Sequence, residues 1–114
     1  MAKIEDFAFY GASRKQYIFQ VYPIGTEFKD IGAVYIFTKR EINSRADATH
    51  NLLYIGNTNS LPRRLTRFHH KWEAVLRNGG NCVSVYQELN DGERNRIEND
   101  LIQKYKPPLN KRFE

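Results

Sequence analysis

The stretch AVYIFTKREINSRADATHNLLYIG, residues 33–56, decides the fold. Its two ends, AVYIFT (33–38) and LLYIG (52–56), are short runs rich in β-branched and aromatic types, so each reads as a strand. Both carry apolar side chains on both parities, Val34 and Ile36 against Tyr35 and Phe37 in the first run. That pattern predicts a sheet covered on both faces. The polar segment between them, 39–51, fits the loop of a long hairpin.

Outward from this hairpin, QYIFQVY (16–22) reads as a further strand within an N-terminal extension, 1–31. On the other side, Leu61, Leu65, Phe68, Trp72, Val75 and Leu76 fall in one stripe about 100° wide, predicting a helix over 61–77 with Phe68 in the core. Asn59 or Ser60 can cap it, Pro62 suits its first turn and Gly79-Gly80 ends it. Val83–Tyr86 reads as a short strand. Asn90 with Glu93 resembles a capping box for a second helix, which runs to about Tyr105 and stops at Pro107-Pro108. The expected order is β-β-β-α-β-α: an α/β (α+β) sandwich, with a small, mainly antiparallel central sheet flanked by helices. The whole chain, 1–114, reads as one domain whose core is 32–110.

Composition narrows the function. The chain has 114 residues, 18 Lys+Arg and 13 Asp+Glu, a net charge of +5, and its single Cys excludes a disulfide framework and a cysteine-based zinc site. No apolar run is long enough to span a bilayer, and the start lacks a secretory pattern, so a reduced, cytoplasmic domain is expected. A pI near 9.4 favours an acidic partner, nucleic acid first and an anionic membrane surface second. The charge is concentrated: residues 61–77 hold Arg63, Arg64, Arg67, Lys71 and Arg77 against Glu73 alone.

Glu98 is the most informative candidate. Leu101, Ile102 and Tyr105 lie within about 60° of it on the second helix, so its carboxylate falls inside the apolar face. A buried carboxylate needs a cation or strong donors. It reads either as the partner of Arg94, one turn earlier, or as a ligand for a divalent metal. Arg64, on the shoulder of the first helix, is placed to be half buried and still grip a phosphate with its planar fork; the ordinary alternative is a solvated arginine. Tyr35 and Tyr54 read equally as strand packing residues. His69-His70 suits a metal poorly, since adjacent helical residues point about 100° apart. Cys82 reads as a small buried hydrophobe.

Taken together these residues resemble the GIY-YIG nuclease family. Tyr54-Ile55-Gly56 matches the second signature, and Ala33-Val34-Tyr35 the first, with Gly32 displaced by one and Val in place of Ile. Gly56 to Leu65 looks like the G-x-[ST]-x-x-L-x-x-R-[LVW] segment, with its arginine at Arg64. Ile97–Ile102 is similar to the helix that carries the family's metal-binding glutamate, at Glu98, and Pro108-Leu109-Asn110 to the closing P-L-N. Where several members carry His four residues after the arginine, this chain has Phe68, with His69 one step later.

The resemblance implies metal-dependent hydrolysis of a phosphodiester. Glu98 would hold a single Mg²⁺ or Mn²⁺, Arg64 would neutralise the scissile phosphate, and Tyr35 would take a proton from the attacking water. Tyr54 would position water or phosphate, Asn110 would support the site, and His69 is an auxiliary candidate. Arg63, Arg67 and Lys71, with Lys39, Arg40 and Arg45 in the hairpin, would track a nucleic-acid backbone, DNA in preference to RNA. No membrane role is implied, and site choice falls to the domain, to self-association or to a partner protein. The rival readings are a catalytically silent nucleic-acid-binding module on the same fold, and an interaction domain whose matched residues form only a buried polar cluster.

Overall fold

The computed structural model describes residues 2–110. The elements are β1 (Glu5–Tyr10), β2 (Gln16–Pro23), β3 (Ala33–Ile42), β4 (Ala48–Thr58), α1 (Leu61–Arg64), α2 (Trp72–Arg77), β5 (Cys82–Gln87) and α3 (Asp91–Tyr105), followed by a 3₁₀ turn, Pro108–Asn110. The five strands form one sheet in the order β1-β2-β5-β3-β4, each pair antiparallel. The architecture is therefore α+β.

Alternation along β3 sends its apolar side chains to two cores, as its two-parity pattern requires. Val34 and Ile36 join Phe9, Phe19, Ile55, Ile97 and Leu101 under α3. Tyr35 and Phe37 join Leu61, Val75, Val83 and Val85 under the short helices. Each fully buried Phe or Leu contributes roughly 1.5–3 kcal/mol. The sheet curls about the α3 core until its two edges approach one another. Glu5 on β1 accepts from Arg40 Nε on β3 (2.9 Å) and pairs with His50 Nε2 on β4 (3.0 Å), and the Phe7 and His50 rings lie 4.4 Å apart.

Several expectations change. The N-terminal extension supplies two strands instead of one, and Phe9, Tyr17, Phe19 and Val21 from it are buried. The 39–51 segment is mostly ladder: Lys39 to Ile42 pair with Asn51 to Ala48, leaving only 43–47 as turn. The helix expected over 61–77 is broken into α1 and α2 by residues 65–71. Thr66 accounts for the break, its hydroxyl accepting from Phe68 N (3.1 Å) and its carbonyl from His69 N (2.9 Å). Such local bonds compete with the helical ladder. As a result Phe68 leaves the core and stands 81 % exposed, while His69 turns inward. Ser60 occupies the N-cap of α1 without a side-chain cap bond, whereas Asn90 caps α3 by accepting from Glu93 N at 2.8 Å. Cys82 is buried, and burial raises its thiol pKa.

Candidate functional site

Tyr35 lies in the middle strand of a three-strand run, opposite Gly56 on β4 and Val85 on β5. Its ring is fully buried and lies over Gly56: a methyl group placed there would come within 2.5 Å of the Tyr35 hydroxyl. Glycine at 56 is thus what lets the phenol extend toward the outer edge of β4. A bulge between Phe37 and Thr38 in the β3–β4 register brings both Leu53 and Tyr54 to this same face. Tyr54 is half-buried there, its ring centroid 6.2 Å from that of Tyr35.

The broken helix supplies the next groups. Arg64 Nε, at the end of α1, donates to Tyr35 Oη at 3.3 Å, and a hydrogen bond to Tyr54 also helps hold its guanidinium charged. His69 Nε2 lies 2.8 Å from Tyr35 Oη, and Arg64 Nη2 lies 3.4 Å from His70 Nδ1. The two histidine rings stack at 4.7 Å with an interplanar angle of 17°. This overturns the helical argument that separated them, because neither residue is in a helix.

Burial first, then the charges of Arg64, His70 and Lys71, depress the His69 pKa to about 4. The ring is therefore neutral at pH 7. Lys71 N donates to its Nδ1 at 3.0 Å. A neutral imidazole that accepts at Nδ1 carries its proton on Nε2. His69 is accordingly a donor to Tyr35, and the phenol oxygen receives two N–H groups, from His69 and Arg64. Burial nevertheless dominates and raises the Tyr35 pKa well above its ordinary value; Arg64 opposes the rise, while Tyr54 and Glu98 add to it.

The influence of Glu98 on Tyr35 brings the carboxylate into the same field, from α3 on the opposite face of the sheet. Glu98 is half-buried at the margin of the apolar face, beside buried Ile97 and Leu101. Its Oε1 accepts from Asn57 Nδ2 at 2.5 Å, and the same amide donates to Asn95 Oδ1 at 3.1 Å. Arg94 turns elsewhere, donating to the carbonyls of Glu88 and Leu89 and pairing with Asp91. Asn57 was not singled out by the sequence reading. Its signal was its position, one residue beyond Gly56 on an edge strand, which puts it on the face opposite Tyr35.

Asn110 acts on the free edge of β4. Its Oδ1 accepts from Ile55 N (2.7 Å) and its Nδ2 donates to Ile55 O (2.8 Å), the two bonds that a neighbouring strand would make. Tyr35, Tyr54, Arg64, His69, Glu98 and Asn110 thus converge on one end of β4. No protein-family model matches this chain, and no curated protein and no solved structure matches it either.

Of the expected backbone-tracking cations, Arg63 and Arg67 are exposed and Lys71 half-buried in the segment around the site. Lys39 sits beside Glu41 (3.7 Å), Arg40 is committed to Glu5, and Arg45 occupies the distal turn, well along the ribbon from Tyr35. A cavity of about 530 Å³ between Tyr22, Phe28 and Gln87 is lined by none of the candidate residues. Among the described residues, no three His, Cys, Asp or Glu cluster as a metal cage, and no helix is long and apolar enough to cross a membrane. What the site offers a cation is one half-buried carboxylate, Glu98, braced by an amide. That donor set fits a hard divalent ion that keeps several waters and takes further oxygens from a substrate phosphate; it does not fit zinc.

Proposed function

We propose that this domain is an endonuclease of the GIY-YIG type, hydrolysing phosphodiester bonds in DNA with the help of one Mg²⁺ or Mn²⁺. The observation that carries the reading is geometric: Tyr35, Tyr54, Arg64 and His69 gather on one side of the end of β4, and on the other side Glu98 reaches the same strand through Asn57, the neighbour of the Gly56 that lies against the Tyr35 phenol. Residues separated by some sixty positions share one electrostatic neighbourhood.

In this reading Glu98 holds the ion, with Asn57 fixing the rotamer of the carboxylate. An ion held there would supply positive charge to a scissile phosphate as its ester bond breaks. Arg64 spans the phenol and the solvent side of the site, and its guanidinium neutralises a non-bridging phosphate oxygen as negative charge accumulates. Tyr35, as phenolate, takes a proton from water; the water oxygen bonds to phosphorus as the P–O3′ bond breaks. A free phenol near pKa 10 is only about 0.1 % ionised at pH 7, so the ionised form depends on its donors. His69 Nε2–H and Arg64 Nε–H are those donors. Tyr54 orients Arg64, and Asn110 keeps the edge of β4 in register beneath them.

The burial of Tyr35 favours one rival, a silent nucleic-acid-binding module, because a phenol sealed behind Arg64 meets no water. Plasmid nicking with and without Mg²⁺, by wild type and Glu98→Ala, separates the two. Mg²⁺-dependent nicking that disappears with Glu98 supports the enzyme. Salt-sensitive binding without nicking by either protein would replace it with the silent module.

A further inference from the structure

The break in the helix takes Phe68 out of the expected core and sets it at the surface. Its ring is 81 % exposed although its backbone is pinned: Phe68 N donates to the Thr66 hydroxyl at 3.1 Å, and the flanking His69 N donates to the Thr66 carbonyl at 2.9 Å. Arg67 lies over the ring, its guanidinium carbon 5.0 Å from the centroid. The next residue, His69, points the other way and touches Tyr35. A hydrogen-bonded turn thus presents an aromatic ring and its stacked arginine next to His69 of the candidate site, in the segment that also carries Arg63, Arg64 and Lys71.

We propose that Phe68, backed by Arg67, is a stacking platform for an unpaired nucleobase next to the scissile phosphate. The preferred substrate is then DNA with an unstacked base at the cut: a flap, bulge, gap or single strand. This inference rests on the endonuclease reading and adds its substrate class. A single exposed apolar side chain is ordinary on a protein surface, as Leu89 and Ile18 are here; what distinguishes Phe68 is the arginine stacked on its ring and the basic segment that carries it. Arg67 on the ring, with Arg63, Arg64 and Lys71 in the same short segment, favours a polyanion over an apolar protein face, and an aromatic ring beside an arginine is the arrangement on which bases stack in single-stranded nucleic-acid sites. Phosphate contacts from Arg63, Arg67 and Lys71 bring any DNA to the site, whereas the ring gains contact only where a base leaves the helical stack.

The test uses the full chain in EDTA, so that binding is read without cleavage. Its probes are three 2-aminopurine oligonucleotides: single-stranded, duplex with one unpaired 2-aminopurine, and fully paired duplex. Stacking worth about 1–3 kcal/mol per base corresponds to about 5- to 150-fold in Kd. Phe68→Ala is expected to lose that much on the first two probes and almost nothing on the paired duplex. The 2-aminopurine fluorescence change should vanish with it and return in Phe68→Trp. Because the ring is exposed, the melting temperature should stay at the wild-type value, which separates lost stacking from lost folding. Equal binding of all probes by wild type and Phe68→Ala would overturn the platform while leaving nicking, and hence the endonuclease reading, untouched. Sedimentation showing that Phe68→Ala splits a wild-type dimer would also overturn it, by making the ring a contact between copies. Failure of the wild type to bind any probe or to nick plasmid would remove the endonuclease reading itself, and the platform with it.

Discussion

At the scale of single residues, the neighbours of the Tyr35 hydroxyl pull it in opposite directions. Burial, Tyr54 and Glu98 hold the proton on; the Arg64 and His69 N–H groups favour its loss. If Tyr35 is the base of the proposed reaction, kcat/KM should climb roughly tenfold per pH unit through the neutral range, since the phenolate fraction does. Tyr35→Phe should then bind DNA like the wild type and fail to turn over; full activity in that variant would take Tyr35 out of the mechanism. Arg64→Ala should cut the nicking rate by roughly 10²–10³ while weakening binding only modestly. A parallel loss of binding would reduce Arg64 to a docking residue. His69 sets a pH limit on stability. Its folded pKa, about 4, lies below its ordinary 6.5, so the unfolded chain binds the proton more readily. Stability is therefore lost as pH falls from about 6.5 toward 4 and is unaffected above that window. Thermal melts across pH 4–7 should show the decline, and His69→Gln should flatten it. The resemblance named Tyr35, Tyr54 and Arg64, which the structure brings together, while periodicity placed Phe68 in the core, from which it departs, and His69 stood only as an auxiliary. Helical periodicity cannot see a threonine that diverts the amides of Phe68 and His69 to itself.

At the scale of elements, the end of β4 decides whether the site forms. β4 is an edge strand, and two unrelated devices hold this part of it: a glycine that leaves room for the Tyr35 phenol, and an asparagine amide that imitates a missing strand. Gly56→Ala would set a methyl group 2.5 Å from the Tyr35 hydroxyl, so the ring must leave Arg64 and His69. The expected result is a folded but inactive protein with a raised His69 pKa, readable by NMR titration of the imidazole. Asn110→Ala should cost about 1–2 kcal/mol of stability for its two lost bonds and speed amide exchange at Ile55. An unchanged Ile55 exchange rate would show that the edge does not need its amide partner. Elements were legible where burial imposed a pattern: the inner halves of β3 and β4, β2, β5 and α3. The outer halves of the hairpin were not, because Lys39–Ile42 and Ala48–Asn51 pair in solvent, where polar residues satisfy the ladder without any apolar alternation. β1 escaped for a different reason. The turn joining it to β2 has none of the usual hairpin dipeptides, and Arg14, not a glycine, takes the positive φ of 75°.

At the scale of the whole molecule, the curled sheet sorts the basic residues into those free for a polyanion and those already used. Arg40 bridges the sheet edges through Glu5, together with His50, so it holds the curl closed. Arg63 and Arg67 are exposed beside the proposed site, and Arg45 stands in the distal turn of the ribbon. Along β3, Ile42 stands seven residues beyond Tyr35 and the turn holding Arg45 follows it, so at roughly 3.3 Å per residue a ligand contacting Arg45 must reach more than about 20 Å from Tyr35. Counterion release converts this division into numbers. Each phosphate neutralised contributes about −0.9 to the slope of log K against log [salt] on duplex DNA. A ligand held only around the site, by Arg63, Arg67 and Lys71, gives a slope near −3; one that also lies along the hairpin, over Lys39 and Arg45, approaches −5. Arg67→Ala should reduce the slope by about one and weaken binding to all sequences alike. Arg45→Ala should do so only if the DNA follows the ribbon. Arg40→Ala should leave the slope unchanged and lower the melting temperature, since it strands the Glu5 carboxylate between the sheet edges. A full unit lost from the slope in Arg40→Ala, with no change in melting, would mean that the ion pair opens to receive DNA and that the curl is held by its aromatic contacts instead.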